Sequence, residues 1–200
     1  MPRILHSEFA IRYSQFISFV LSLLSLTSLS ATPPYAGAIR AVADLLTRLR
    51  IDHLFAGTVA RAAWLGGDVA RGSIDVIALL KPEQKNQVAT MASNRGFRVD
   101  REEVEQSEEL DLIPLTFEDV RVHVLVATNA LYGSMFASAR EASVDGVAIK
   151  VPSAEDAALL LALAEDEVGV RALTTLAGFD RGAYNRKLSS IGLRELVVAE

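Results

Sequence analysis

The chain of 200 residues contains no cysteine. Disulfide bonds, thiolate nucleophiles and thiolate metal sites are therefore excluded, and cysteine usage does not indicate a redox compartment. Its three histidines, His6, His53 and His123, are too widely separated to suggest a zinc site. An excess of positive charge is also missing, because the formal net charge is −5. Such a chain has no broad attraction for phosphates, so we expect no general nucleic-acid binding.

Charge is absent altogether from one long stretch, since no charged residue lies between Arg12 and Arg40. Within it, residues 16–26 (FISFVLSLLSL) form an apolar run that is short for a membrane span. Three interpretations stay open: a signal peptide or membrane anchor, an amphipathic helix packed on the body or on a partner, and a misplaced gene start. We therefore treat residues 1–32 as a leader, which the following pair of prolines ends.

Beyond the leader, hydrophobic residues alternate between helical and strand periodicities. The pattern predicts helices over residues 35–50, 58–65 and 82–94 and strands over residues 51–56, 73–80, 112–117 and 120–127. Residues 101–111 are rich in glutamate and are predicted to form an exposed loop. An alternation of this kind is typical of the α/β class.

The C-terminal third is mostly helical in its periodicity. Helices are predicted over residues 129–142, 153–164, 167–176 and 180–191, with a short strand at residues 147–151. Ser153 is a candidate cap for the second of these helices, because its hydroxyl can accept from free amides of the first turn. We expect residues 33–151 to form a core and residues 152–200 to form a helical part of the same domain.

The segment at residues 55–80, FAGTVARAAWLGGDVARGSIDVIALL, resembles the core of the nucleotidyltransferase superfamily. It is most similar to small bacterial proteins grouped with abortive-infection toxin and antitoxin-type minimal nucleotidyltransferases. In that family a strand ends in Gly-Gly or Gly-Ser, a helix follows, and the next strand carries Arg-x-Ser/Thr-x-Asp-h-Asp, where h is apolar. The corresponding residues are Gly57 and Thr58 at the turn and Arg71, Ser73 and Asp75 on the strand.

This resemblance extends by pattern over residues 35–195 and implies a particular fold. The expected architecture is α/β (α+β), a mixed sheet flanked by helices with a C-terminal helical layer. The resemblance also implies NTP and Mg²⁺ as cofactors for an active protein, and none for an inactive one. A glycine turn brings backbone amides to the triphosphate, while three carboxylates on adjacent strands hold the metal ions.

Two of those three carboxylates are missing from the sequence. The second aspartate of the motif is replaced by Ile77, and His123 stands at the third carboxylate position. Because Mg²⁺ prefers oxygen ligands in near-octahedral geometry, one aspartate with an isoleucine and an imidazole does not build a two-metal site. We expect impaired catalysis, with Asp75 a weak metal ligand. The expected nucleotide-binding residues are Gly57, Thr58, Arg71 and Ser73.

The retained residues also have structural interpretations. Gly57 is equally explained by a tight strand-to-helix turn. Asp75 is expected to form a salt bridge with Arg71 or Arg61 more readily than to bind a metal. His123 is more often a hydrogen-bonded cleft histidine than a ligand.

Three functional hypotheses follow from these residues. The first is a non-catalytic binding or regulatory module, with a protein partner, weak or no nucleotide binding and a toxin–antitoxin setting. The second is an active enzyme that moves NMP from an NTP to a protein or RNA hydroxyl, drawing carboxylates from Asp68, Glu118 or Asp119. The third is an exported binding protein whose mature chain starts near Thr32. We expect a cytoplasmic location, an exported one if the leader is a signal peptide, and membrane attachment only if it is an anchor.

Overall fold

The computed structural model describes residues 28–100, 102, 104, 111–128 and 130–193. The apolar run at residues 16–26 and most of the predicted loop at residues 101–111 lie outside the described residues.

The described residues form seven helices and eight strands. The helices are α1 (Pro33–Arg48), α2 (Gly57–Leu65), α3 (Lys85–Ser93), α4 (Ala130–Ala137), α5 (Ala154–Leu163), α6 (Glu167–Thr174) and α7 (Arg181–Ser190). The strands are β1 (Ser28–Ala31), β2 (His53–Phe55), β3 (Asp68–Val69), β4 (Ile74–Ala78), β5 (Leu112–Phe117), β6 (Val120–Val126), β7 (Arg140–Val144) and β8 (Val147–Val151). The mixture of strands and helices confirms the predicted fold class.

The sheet that carries the sequence motif has the strand order β2-β4-β6-β5. Strands β4 and β6 are parallel, whereas β2 and β5 run antiparallel to their neighbours. Helix α1 packs across β4, β5 and β6. One face of this sheet is buried along β4 and β6, whose side chains there are Ile74, Val76, Ala78, Val122, Val124 and Val126. Asp75 and His123 therefore project from the opposite face, because side chains alternate along a strand.

A second sheet has the strand order β3-β1-β7-β8. Strand β1 is parallel to both β3 and β7, so it is an interior strand of this sheet. Its Leu29 is buried, and the backbone amide of Ala31 donates to the Asp145 carboxylate over 3.1 Å. The four residues of β1 fall within the segment assigned from the sequence to the leader. The prolines at positions 33 and 34 open α1, where the missing amide hydrogens cost nothing.

The prediction of a helix over residues 129–142 was wrong at the C-terminal end of that range. Helix α4 ends at Ala137, residue 129 lies outside the described part, and Arg140–Val144 forms strand β7. Strand β7 pairs antiparallel with β8 across a two-residue turn at Asp145 and Gly146, whose φ angles are 45° and 78°. Asp-Gly is a strong signal for this kind of hairpin turn, and it outweighs the helical periodicity before it.

The predicted helices of the C-terminal third otherwise form as α5, α6 and α7. As predicted, Ser153 caps α5, since its Oγ accepts from the Asp156 amide over 3.2 Å. Asp156 itself is completely buried, and it accepts hydrogen bonds from Ser138 Oγ at 2.7 Å and Ser153 Oγ at 3.0 Å. Its other oxygen forms an ion pair with Lys187 of α7. One buried carboxylate thus joins α5 to α7 and to the end of α4.

Within the described ranges, no helix combines the length and the apolar character needed to cross a membrane.

We expect Asp156→Ala to lower the free energy of unfolding by about 3 kcal/mol. Removing one partner of a buried ion pair costs roughly 3–5 kcal/mol, and partial exposure of the Lys187 ammonium reduces the loss. Urea denaturation followed by circular dichroism measures the change. Glu155→Ala on the same helix removes one hydrogen bond, to the Asp180 amide, and serves as the control, with an expected loss of about 1 kcal/mol. Equal losses in the two variants would contradict this role of Asp156.

A pH-dependent contribution to stability comes from His53 at the start of β2. Its Nδ1 donates to the Ile51 carbonyl over 3.0 Å, and the ring lines a cavity of about 440 Å³ between β2 and the β7–β8 hairpin. Burial lowers the pKa of His53, with a smaller contribution from Lys150 in the same direction and opposing ones from the Ile51 carbonyl and Asp52. The unfolded chain therefore takes up a proton at this residue more readily than the folded one.

Stability is consequently expected to fall as the pH drops below about 6.5, the ordinary histidine pKa. His53→Gln should make the free energy of unfolding less dependent on pH between neutrality and this acidic range. Urea denaturation at a series of pH values compares the two proteins. Parallel pH profiles would show that His53 contributes nothing to the dependence.

Candidate functional site

The turn between β2 and α2 brings the backbone of Gly57 against the side chain of Asp75. Gly57 has a φ of 53°, in the left-handed region that favours glycine. A Cβ atom at this position would overlap Oδ2 of Asp75 and lie 3.3 Å from its Cγ. The Ala56 amide also donates to the Asp75 carbonyl over 2.8 Å. Both the backbone conformation and the close approach therefore require glycine here, in the strand, turn and helix order that the sequence predicted.

Asp75 and His123 lie side by side on the parallel strands β4 and β6. Oδ1 of Asp75 accepts from Ser73 Oγ at 2.9 Å and is 3.0 Å from His123 Nδ1. Because a carboxylate oxygen only accepts, Nδ1 carries the proton of this hydrogen bond. The His123 and Asp75 side chains are 32% and 28% exposed, so the pair lies at the border of solvent.

The predicted salt bridge between Asp75 and an arginine was wrong. The hydrogen-bond partners of Asp75 are Ser73 and His123, and Arg61 instead pairs with Asp166 at 3.3 Å. His123 agrees with the interpretation as a hydrogen-bonded cleft histidine. Neither segment, SIDVIALL or VRVHVLVA, specifies this pairing by itself, because it depends on the register between the two strands. Placing the two segments side by side as parallel strands in the observed register sets Asp75 beside His123.

The position of the second family carboxylate lies in an apolar environment. Ile77 is on the same face of β4 as Asp75, is completely buried, and pairs in register with Leu54 and Leu125. No group of three His, Asp or Glu side chains suited to hold a metal ion exists among the residues that the structure places. One carboxylate, an isoleucine and an imidazole do not fit a magnesium centre that demands several oxygen ligands.

The three carboxylates of the rearranged-site hypothesis lie on other elements than Asp75, and only Asp68 lines the small cavity beside Thr58. Asp68 is on β3, opposite Ser30 in the second sheet. Glu118 and Asp119 form the turn between β5 and β6, and the Glu118 carboxylate faces Gly37 of α1. Since a strand rises about 3.3 Å per residue, Asp119 is about 13 Å along the chain from His123.

A small polar cavity adjoins the glycine turn. It has a volume of about 140 Å³ and is lined by one face of α2, from Thr58 to Leu65, and by residues 66–71 before β4. Thr58 donates from Oγ1 to the Ser73 carbonyl over 3.1 Å, which connects the cavity to the Asp75 contact. The lining includes Thr58, Arg61, Asp68 and Arg71. Arg71 is exposed and forms no ion pair with a carboxylate in the described part of the chain.

The structure therefore brings together the residues that the sequence singled out. Gly57 contacts Asp75, Thr58 binds Ser73, and Ser73 binds Asp75. Arg71 shares the small cavity with Thr58. Sequence reasoning named these residues, and it missed Arg61 as a second cation at the same cavity.

We expect Gly57→Ala to destabilise the protein more than Gly178→Ala. Both positions have a left-handed φ, which costs a residue with a Cβ roughly 1–2 kcal/mol. A Cβ at Gly178 meets no atom within 4 Å, whereas one at Gly57 overlaps Asp75, which adds about 1–3 kcal/mol. Urea denaturation of both variants measures the difference. In an Asp75→Ala background the extra loss at Gly57 should disappear, and its persistence would rule out the contact as its cause.

No protein-family model matches this chain, and a comparison with curated proteins gave no match. Solved structures do match it. A solution structure of the antibiotic-resistance factor ANT(2'')-Ia aligns with a TM-score of 0.55 and 17% identity, over 78% of this chain and 90% of that one. A crystal structure of ANT(2'')-Ia in complex with adenylyl-2''-tobramycin gives a TM-score of 0.52 and 15% identity, over 78% of this chain and 95% of that one.

A third similar structure is an antigenic nucleotidyltransferase-like protein from Paracoccidioides brasiliensis. It aligns with a TM-score of 0.50 and 11% identity, over 80% of this chain and 88% of that one. At these identities the likeness concerns the fold, which is the one that the motif over residues 55–80 implies. The chain has the nucleotidyltransferase-superfamily fold.

Proposed function

We propose that this protein keeps the nucleotidyltransferase fold as a binding or regulatory module and does not perform metal-dependent nucleotidyl transfer. The observation that carries the proposal is the hydrogen bonding of Asp75. Oδ1 of this carboxylate accepts from Ser73 and His123, so the only aspartate that matches the motif is already engaged within the protein.

The hydrogen bonding of Asp75 matters because the family reaction depends on bound metal ions. A hydroxyl group that displaces pyrophosphate from an NTP must lose its proton, and the leaving group must be stabilised as negative charge develops. In two-metal sites the bound cations do both. Ile77 supplies no ligand and His123 directs a proton toward Asp75, so the family arrangement of metal ligands is not available.

The other half of the site supports a weak interaction with a nucleotide. Free amides in the first turn of α2 and the Arg71 guanidinium, which has no ion-pair partner among the described residues, are groups that bind phosphate oxygens. A few such contacts on an exposed surface give an affinity near the millimolar range, about −4 kcal/mol. Such a module would act through a protein partner, in the toxin–antitoxin or regulatory setting that the sequence resemblance implies.

A label-transfer assay tests the absence of catalysis. The full chain is incubated with Mg²⁺ and each of ATP, GTP, CTP and UTP labelled at the α-phosphate, with RNA and with protein acceptors. We expect no label on either acceptor above the level of the Asp75→Asn variant, because the ligands for a second cation are missing. An active enzyme of the same fold serves as the positive control. Label that moves to an acceptor and depends on Asp75 would refute the proposal.

A further inference from the structure

We infer that this site binds a nucleotide without a divalent cation, and that arginine side chains take the place of the metal as partners of the phosphate groups. The inference rests on the proposed nucleotide site. It adds which side chains neutralise the negative charge of the phosphate groups. It concerns three parts of the site in turn: the carboxylate, the imidazole and the small cavity.

The state of the Asp75 carboxylate is the first argument. One carboxylate together with phosphate oxygens is sometimes enough to hold Mg²⁺, so the single aspartate does not by itself exclude the ion. Oδ1, however, already accepts from Ser73 at 2.9 Å and from His123 at 3.0 Å. Oδ2 packs so closely against Gly57 that a Cβ there would overlap it. Oδ1 is therefore engaged by two donors, and Gly57 covers one side of Oδ2.

The orientation of His123 is the second argument. Its Nδ1 directs a proton toward Asp75, so this nitrogen offers no lone pair for a cation shared with the carboxylate. A cation between the two side chains would have to displace that proton and the hydrogen bond. Ile77, the next residue on the same face of β4, is completely buried and adds an apolar wall. The three motif positions together therefore disfavour a divalent ion held between Asp75 and His123.

Side chains that line the small cavity beside α2 supply the positive charge. Two guanidinium groups line it, Arg61 and Arg71, against a single lining carboxylate, Asp68. Arg61 is partly engaged by Asp166 at 3.3 Å, whereas Arg71 has no carboxylate partner among the described residues. A guanidinium group presents paired donors that match two phosphate oxygens, and its charge does not depend on pH.

The size of the cavity indicates which end of the ligand it takes. Its volume of about 140 Å³ is well below the roughly 300 Å³ at which sites for whole small molecules begin. The cavity therefore suits a phosphate group, with the sugar and base outside it. The cavity extends along α2 to Leu65 and Gly66, and Thr58 lines its end at the start of the helix, where the positive end of the helix dipole favours an anion.

Calorimetric titration of the full chain with ATP, in excess EDTA and in excess MgCl₂, tests the dependence on metal. We expect the two dissociation constants to agree within about twofold, and Arg71→Ala to weaken binding by about tenfold in both buffers. Arg71→Lys should restore only part of the affinity, because an ammonium group lacks the paired donors. Arg40→Ala, which removes an exposed arginine of α1, is the matched control and should bind as the wild type does.

Affinity that rises more than about tenfold with Mg²⁺, and loses that gain in Asp75→Asn, would overturn the inference. Metal-independent binding that Arg71→Ala leaves unchanged would overturn the part assigned to arginine. An absence of ATP binding in both buffers would instead refute the proposed nucleotide site. These outcomes separate the failure of the inference from the failure of the proposed function.

Manganese binding, followed by electron paramagnetic resonance on the protein alone, gives a readout that needs no nucleotide. We expect wild type and Asp75→Asn to bind Mn²⁺ equally weakly. His123→Asp, a change at a side chain that is 32% exposed, should strengthen Mn²⁺ binding, because it sets a second carboxylate beside Asp75. Asp75-dependent Mn²⁺ binding by the wild type, as tight as that of His123→Asp, would overturn the inference. Circular dichroism confirms that each variant is folded.

Discussion

The contact between Gly57 and the Asp75 carboxylate constrains the rest of the site. It holds the start of α2 against β4, and the left-handed turn at Gly57 makes that approach possible. The same carboxylate binds His123 on β6, so one side chain connects a helix and two parallel strands. Thr58 completes the connection through the Ser73 carbonyl. These contacts bring Gly57, Thr58, Ser73, Asp75 and His123 together in a small volume.

This arrangement changes the role of an acidic residue without changing the fold around it. In a two-metal centre, carboxylates repel one another until cations neutralise them, so the empty site carries a cost. Here an imidazole donor and a hydroxyl donor satisfy the remaining carboxylate, and an isoleucine packs beside it. The replacements therefore favour a site that is stable on its own. For this physical reason the fold is compatible with a hydrogen-bonded Asp75 beside an isoleucine and an imidazole.

Much of the fold could be predicted because periodicity is a local property of the sequence. The amphipathic pattern of α1 and the apolar run of β4 needed no knowledge of distant residues. The helical periodicity of residues 129–142 does not reveal β7, which forms through the Asp145-Gly146 turn that pairs it with β8. The bond from His123 to Asp75 depends on the register between two parallel strands 48 residues apart, which no short segment specifies. The motif therefore named the residues of the site, and the sheet determined which of them touch.

The interior position of β1 has a consequence for processing of the chain. Strands β3 and β7 meet no other strand on the side that β1 occupies. A protease that cut near Thr32 would remove β1 and expose the backbone donors and acceptors of both neighbours, which are then open to pairing with other chains. Cleavage near Thr32 would therefore disrupt the second sheet. Cleavage of the leader leaves the second sheet intact only where the cut lies upstream of Ser28.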